Sequence, residues 1–362
     1  MRALIASSAT GGHIYPALAI AGEIKNRDSE SQILFVGAKW EIGKDIVSSA
    51  GYDQVHIDVS GIDRKNPFNN IKAFRDLTKS TREIKKIIRD FKPDICIGTG
   101  GHIAGPVVRG AKKAGIRTLI QEQNVIPGMA NKLAERYADK VFVGFDDSVK
   151  FFKNQDKIVV SGNPVRPDFT EAAAKRPDYR DKYGIPEGAF CILFFGGSQG
   201  AEAINEAAID TTERLSGYYY SILITGRDYY SEVKSRYVQR NPAGICIMDY
   251  SDAIHELYAA ADLIVSRAGA LTVTDITLSG KASILIPSPN VTNNHQYYNA
   301  KTLADRGAAL IIQEDQIGDG RLAKEIIQIA ANPDLLEAIA DAAKGLAKPD
   351  ALKVIVDEIF GS

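Results

Sequence analysis

The sequence predicts an α/β protein of two doubly wound domains, each with its own parallel sheet. Short apolar runs alternate with longer stretches of helical period along the chain, as strands do when joined by right-handed helical crossovers. Twice, a strand-like run enters a glycine turn and then a helix, at Ala9-Thr10-Gly11-Gly12-His13 and at Gly196-Gly197-Ser198-Gln199-Gly200. Each reads as the first unit of a separate sheet. The length of 362 residues also exceeds the roughly 100–200 of a single domain.

Strands are expected at Ala3–Ser7, Ile33–Val36, Asp94–Ile97, Thr118–Gln121 and Lys140–Val143. A second series follows at Phe190–Phe195, Ser221–Thr225, Gly244–Met248, Leu263–Ser266 and Ser283–Ile286. Helical period fills the gaps, for example at Pro16–Asn26, Asn70–Asp90, Ala201–Leu215 and Ala253–Ala260. Residues 164–186 carry four of the 14 prolines among many charges and read as a loop or linker. The boundary is placed near Gly162–Pro167, giving domains 1–163 and 164–348. The final helix, in 349–362, could pack on either domain or back on the first.

Hydrophobic residues make up 45% and charged residues 25%, and 44 Lys+Arg against 45 Asp+Glu leave a net charge of −1. Nucleic acid is therefore not expected as a partner. Cys96, Cys191 and Cys246 lie far apart in apolar runs with no CxxC spacing, the pattern of buried thiols in a reducing compartment. The N-terminus runs directly into a glycine turn, and no stretch approaches ~18 consecutive apolar residues. The expectation is a chain that neither spans a membrane nor is exported.

Glycines between a strand and a helix let the backbone approach a ligand, and the helix end there favours an anion. Thr10-Gly11-Gly12, Gly98-Thr99-Gly100-Gly101 and Gly196-Gly197-Ser198-Gln199-Gly200 all fit, which points to a phosphate or nucleotide. The first loop lacks G-x-G-x-x-G and the second strand lacks a terminal acid, so a dinucleotide is disfavoured. Gly37 to Lys44 has one residue too many for a kinase-type phosphate loop, and Asp45 replaces its hydroxyl.

His13 follows a Gly-Gly turn at the crevice end of the sheet, where an imidazole suits general base work at neutral pH. His102, after Gly100-Gly101, has the same setting. A divalent cation would call for alternate carboxylates. Asp146-Asp147 are adjacent instead and read as a helix cap, so no metal or other cofactor is expected. Diphosphate charge would then fall to helix N-termini and to Arg166 or Arg267. Between Arg64 and Lys92 there are ten Lys/Arg and three acids, with an apolar stripe that includes Ile71 and Phe74. Such a helix either turns its stripe to the core or meets anionic lipid or a polyanionic substrate.

Together with these loops, Gln121-Glu122-Gln123-Asn124, Gly162-Asn163-Pro164-Val165-Arg166, Ser266-Arg267-Ala268-Gly269-Ala270-Leu271-Thr272 and His295-Gln296-Tyr297-Tyr298-Asn299-Ala300 occur in order. The set, covering nearly the whole chain, resembles the MurG family of glycosyltransferases. The resemblance implies a GT-B architecture, two Rossmann-like domains facing across a cleft. It implies inverting, metal-independent transfer of N-acetylglucosamine from UDP-GlcNAc to the muramyl 4-hydroxyl of lipid I, forming lipid II in peptidoglycan synthesis. The donor would bind mainly to the C-terminal domain and lipid I to the N-terminal one. The protein would sit peripherally on the cytoplasmic face of the membrane, on anionic inner-leaflet lipid and in contact with a cell-wall synthesis complex.

By the same resemblance, Thr10, Gly11, Gly12, Asn124 and Arg166 match donor-contacting positions, and Ser198 matches a diphosphate contact. Ser251 matches the place where backbone groups read uracil. Ala270, Leu271, Thr272, Val273, Thr274 and Asp275 bracket the diphosphate and ribose, and Gln296 matches a contact to the sugar hydroxyls. His13 is the implied base, with Glu122 as its orienter or an alternative base. Gly100, Gly101 and His102 fall on the acceptor side, and Ile71, Phe74, Arg75, Lys79, Lys85 and Lys86 in the membrane-associating segment. Asp275 replaces the family's usual glutamate and His102 a common tyrosine. The rival readings are a UDP-N-acetylglucosamine 2-epimerase, a transferase with a diacylglycerol acceptor, and a nucleotide-binding scaffold without chemistry.

Overall fold

A computed structural model describes residues 1–39, 44–59, 70–165, 168–215, 217–240 and 244–361, without the side chains of 44–45, 70–78, 168, 170–171 and 238–240. The chain divides into two compact units, Met1–Val165 with Asp350–Ser362, and Arg166–Pro349. The first is built on β1 (Arg2–Ser7), β2 (Gln32–Ala38), β3 (Asp53–Ile57), β4 (Ile95–Gly100), β5 (Arg117–Glu122), β6 (Lys140–Val143) and β7 (Ile158–Val160). All pairs are parallel, in the order β3-β2-β1-β4-β5-β6-β7. Its helices are α1 (Gly11–Arg27), α2 (Lys44–Ser49), α3 (Asn70–Phe91), α4 (Gly101–Lys113) and α5 (Met129–Ala134).

Alternation along β1 explains why these strands read as unbroken apolar runs. Ala3 and Ile5 join Ile14 and Ala17 of α1 on one face of the sheet, while Leu4 and Ala6 join Ile103 and Val107 of α4 on the other. A sheet covered on both faces selects apolar side chains at every position.

The second unit opens with α6 (Asp168–Ala174) and α7 (Arg176–Lys182). Its strands are β8 (Phe190–Phe195), β9 (Tyr219–Ile224), β10 (Ile245–Met248), β11 (Leu263–Ser266), β12 (Ala282–Leu285) and β13 (Leu310–Ile311). They too are all parallel, in the order β10-β9-β8-β11-β12-β13. Between and after them run α8 (Glu202–Arg214), α9 (Tyr230–Arg240), α10 (Ile254–Ala260), α11 (Ala270–Ser279), α12 (His295–Ala304), α13 (Arg321–Ala330) and α14 (Pro333–Gly345). The last helix, α15 (Ala351–Phe360), belongs to the first unit. There Ile355, Val356 and Ile359 pack into the α1 face, and Asp357 pairs with Arg27.

Three observed strands were not among those expected, β3, β7 and β13, and all lie at sheet edges. Edge strands are short and half-covered, which weakens the apolar signal. Helix α1 starts at Gly11 rather than Pro16, because the amides of His13 and Ile14 already donate to the Thr10 carbonyl at 2.9 and 3.0 Å. The proline-rich 164–186 segment holds α6 and α7 rather than a plain loop, with Pro177 in the first turn of α7. That turn has no use for the missing N–H.

In both units the strand order reverses beside the first strand. A crevice therefore opens outside the carboxyl ends of β1 and β4, and another outside those of β8 and β11. Replacing fully buried Ile355 by Ala should destabilise the first unit by about 2–5 kcal/mol. That would appear as a lower urea midpoint by circular dichroism, with a much smaller shift for the partly exposed Phe360→Ala.

Candidate active site

In the first unit the loops after β1 and β4 lie against each other. Ser7 is paired with Gly100 across a register shift, and the Ser8 amide donates to the Gly100 carbonyl at 3.3 Å. Gly100 (φ 121°) and Gly101 (φ 77°) both occupy the left-handed region, where glycine is favoured. A Cβ on Gly100 would lie 2.6 Å from His13 Nδ1, and one on Gly101 1.8 Å from Ser8 Oγ. Gly100 thus makes room for His13, and Gly101 for Ser8.

His13 Nδ1 lies 2.9 Å from Oε1 of Gln123. Gln123, just past β5, donates its Nε2 to the Thr99 carbonyl at 2.7 Å and to Gln121 Oε1 at 2.5 Å. Gln121 Nε2 donates to Asn163 Oδ1 at 3.0 Å, and Asn163 Nδ2 to the Gln123 carbonyl at 3.1 Å.

Glu122 turns the opposite way, as strand alternation requires. Its buried carboxylate accepts from the amides of Asn124 and Gly128 at 2.9 and 3.0 Å, and from Nδ2 of Asn131 and Asn124 at 2.8 and 3.3 Å. The expected role of Glu122 as orienter of His13 is corrected: Gln123 holds that place. Glu122 instead ties down the 124–131 loop, with its oxygens already committed to four donors. Asn124 is further held by Ser148 Oγ, which donates to its carbonyl at 3.1 Å.

Thr10 is the exposed N-cap of α1 and makes no side-chain capping bond. Space around Gly12 is open, since an added Cβ would meet nothing within 4 Å. The first-turn amides of Gly11 and Gly12 have no acceptor within the helix. His102, half-buried, is the second residue of α4, one position nearer the helix start than His13 in α1.

In the second unit, the turn 197–200 is closed by the Gly200 amide donating to the Gly197 carbonyl at 3.0 Å, with Ser198 exposed at its tip. It interlocks with the end of β9: a Cβ on Gly200 would lie 2.0 Å from the Thr225 carbonyl oxygen. Buried Asn205 of α8 holds that carbonyl through Nδ2 at 3.0 Å. Across the switch point, α11 begins at Ala270 with Gly269 as an N-cap that makes no side-chain bond. The amides of Ala270, Leu271 and Thr272 form its unpaired first turn. Val273 is in the core and Thr274 Oγ1 donates to the Ala270 carbonyl at 2.9 Å. These two side chains are thus taken up by packing and local bonding within the helix start.

Burial pushes the Asp275 carboxyl well above the usual carboxylate range. The buried hydroxyl of Tyr258 has no hydrogen-bond partner among the described residues; desolvation, then the charge of Asp275, raises it. Gln296 Oε1 accepts from the Ser288 amide at 2.9 Å, and Ser251 Oγ from the Ala253 amide at 3.2 Å. Arg267 donates to the Ile286 carbonyl at 3.2 Å and pairs with Glu314. In this structure its guanidinium is thus held within the second unit. Arg166, the other expected cation, lies outside the described residues.

On α3, Ile84 and Ile88 are buried with the α4 face, whereas Lys85 and Lys86 are exposed and Lys79 pairs with Asp58. The side chains of Ile71, Phe74 and Arg75 lie outside the described residues. No helix among the described residues is long and apolar enough to cross a membrane. Asp146 and Asp147 lie in the first turn of a 3-10 segment whose N-cap is Phe145, without a side-chain cap bond, which corrects the expected cap. Burial pushes the thiols of Cys96 and Cys191 up to about 12.

Comparison with known proteins places this geometry. The glycosyltransferase family 28 N-terminal domain matches residues 4–143, and the glycosyltransferase family 28 C-terminal domain matches 191–355. A Finegoldia magna protein is 38% identical over 365 residues, covering 99% of this chain and 98% of its own. One from Caldanaerobacter subterraneus is 40% identical over 354 residues, covering 97% of each. Both are named UDP-N-acetylglucosamine--N-acetylmuramyl-(pentapeptide) pyrophosphoryl-undecaprenol N-acetylglucosamine transferase. The chain belongs to the MurG transferases of glycosyltransferase family 28.

The crystal structure of Acinetobacter baumannii MurG superposes on this transferase with a TM-score of 0.80 at 27% identity, covering 100% of this chain and 99% of that one. A UDP-GlcNAc 2-epimerase from Neisseria meningitidis, solved with UDP-GlcNAc bound, superposes at 0.69 with 14% identity over 100% of both chains, a likeness of fold alone. The residue of the transferase that sequence reasoning passed over is Gln123. Period-two alternation through Gln121-Glu122-Gln123 at the end of β5 was the available signal, since it puts both glutamines on one face.

The raised carboxyl of Asp275 fixes the sign of a pH effect. The folded transferase keeps a proton that the unfolded chain releases near 3.8. This group's stabilising share is thus complete below that value and is lost as pH rises toward the folded one. Asp275→Asn should raise the thermal unfolding midpoint at pH 8, and the gain should shrink toward pH 4.

Proposed function

We propose that this transferase moves N-acetylglucosamine from UDP-GlcNAc to the muramyl 4-hydroxyl of lipid I, forming lipid II, with inversion and without a divalent cation. The observation that carries the reading is the His13 imidazole, held at the carboxyl end of β1 by Gln123 and given room by Gly100. The acceptor hydroxyl oxygen attacks the anomeric carbon, the bond from that carbon to the diphosphate oxygen breaks, and the hydroxyl proton passes to His13. Charge growing on the leaving UDP is met by fixed dipoles of the second unit, the Ser198 turn and the first turn of α11.

Within the second unit, Ser251 lies in the turn that reads uracil, Asp275 accepts from the ribose diol, and Gln296 reads sugar hydroxyls. Gln296 supports this role because its Oε1 is anchored to Ser288, which fixes where its Nε2 points. Gly101 and His102 border the acceptor in the first unit, and Thr10, Gly11, Gly12, Asn124 and Arg166 complete the donor set. The exposed Lys85 and Lys86 of α3, with the basic segment before them, attract anionic inner-leaflet headgroups. This supports a peripheral position on the cytoplasmic face of the membrane, where other enzymes of wall synthesis would be neighbours.

Radiolabelled UDP-GlcNAc and a short-chain lipid I analogue test the reading. Transfer should survive EDTA, and donor alone should stay unchanged. His13→Ala should lower kcat about 100- to 10,000-fold with the donor KM nearly unchanged. Epimerised sugar from donor alone would favour the epimerase, loss in EDTA would refute the metal-free step, and equal losses in kcat and donor affinity would reduce His13 to a loop-shaping residue.

A further inference from the structure

We propose that Gln123 is a positioning residue that fixes the tautomer of His13, so that Nε2 is the atom that takes the proton. This rests on the reading of His13 as the base and extends it to which ring nitrogen acts and what selects it. A neutral imidazole donates through one nitrogen and accepts through the other, and the partner of one decides the role of both. An amide is equally two-ended, so its own direction must be settled by something that cannot turn.

Backbone carbonyls settle it here. Gln123 Nε2 lies 2.7 Å from the Thr99 carbonyl, which can only accept, so the amide nitrogen faces that oxygen. Its Oε1 is thereby turned to His13 Nδ1 at 2.9 Å. An oxygen acceptor there requires the proton on Nδ1 and leaves the lone pair on Nε2. Asn163 Nδ2 likewise faces a backbone carbonyl, that of Gln123, at 3.1 Å. Its Oδ1 then accepts from Gln121 Nε2, and Gln121 Oε1 accepts from Gln123 Nε2, closing a ring of three amides.

Gln121, Gln123 and Asn163 are each at most 1% exposed, so water does not compete for these bonds. Reversing any one amide would set oxygen against oxygen in a buried place. The absent side chain at Gly100 lets the imidazole reach Gln123, because a Cβ would stand 2.6 Å from Nδ1. An amide acceptor also holds Nδ1–H without adding charge. A carboxylate in its place would favour the imidazolium, the form that cannot take a proton.

The full-length protein, grown with nitrogen-15 histidine, reports the tautomer directly in long-range proton–nitrogen correlation spectra at pH 8. The His13 signals are those missing from His13→Ala. The expected result is the Nδ1–H form in the unmutated protein. Gln123→Leu removes the acceptor and should give the Nε2–H form or a mixture, with kcat down tenfold or more and the donor KM unchanged. Gln123→Glu still offers an oxygen to Nδ1 in either protonation state. It should keep the Nδ1–H form, move the acid limb of the kcat–pH profile upward, and recover part of the kcat lost in Gln123→Leu only above that limb. An Nε2–H tautomer in the unmutated protein overturns the proposal even if Gln123→Leu fails to fold, and so does an unchanged tautomer in Gln123→Leu. If the tautomer behaves as expected while His13→Ala keeps full kcat, the reading of His13 as base fails and the hold of Gln123 on the ring stands.

Discussion

Parallel pairing of β1 with β4 is the constraint on which the first unit's site depends. Because Ser7 and Gly100 end their strands side by side, the two turns that follow must leave the sheet next to each other, one into α1 and the other into α4. The first turn of α1 is thereby pressed against the β4 loop, and Gly100 and Gly101 have no space for a Cβ. His13 is left lying over Gly100 toward the end of the next strand, β5, where Gln123 accepts from it. In the second unit the tight contact is between the turns after β8 and β9. There the close approach is between Gly200 and the carbonyl of Thr225, with Asn205 locking the same carbonyl from below.

The fold also decides where charge can and cannot act. Glu122 is buried, yet four donors surround its oxygens. Arg267 stands in a loop that looks made for phosphate, but it is held by Glu314 and the Ile286 carbonyl. What the described loops offer an anion is mainly backbone: unpaired first-turn amides of α1 and α11, and the exposed turn at Ser198. Partial charges of this kind are fixed before the substrate arrives, so nothing has to reorganise as negative charge moves onto a leaving group. A flexible lysine would have to be ordered first, at a cost in side-chain entropy.

Most of the architecture was legible in the sequence because both sheets are covered on both faces, which writes each central strand as an apolar run. The edges were not. Asp53–Ile57 alternates polar and apolar residues, and Leu310–Ile311 is only two residues long. The site was legible where chemistry requires glycine and hidden where it depends on pairing at a distance. Nothing near Arg267 in sequence announces Glu314, and nothing at Asp275 announces the burial that raises its carboxyl. Gln123 stood inside a quoted motif, but Glu122 drew attention by its charge. Side-chain alternation at the end of β5 turns the carboxylate away and brings the amide to His13.

A neutral partner for His13 has a further consequence. The family 28 fold is shared with UDP-GlcNAc 2-epimerases at 14% identity, so the architecture alone does not select the reaction. Side chains must select it. The first unit has open first-turn amides at Gly11 and Gly12 beside His13. A carboxylate holding Nδ1 would set a negative charge beside those amides, and would also favour the imidazolium. The amide ring of Gln121, Gln123 and Asn163 fixes the same ring nitrogen with no net charge. It leaves the positive ends of the helices unopposed and the imidazole free to accept a proton from a hydroxyl, which a displacement needs and a scaffold does not.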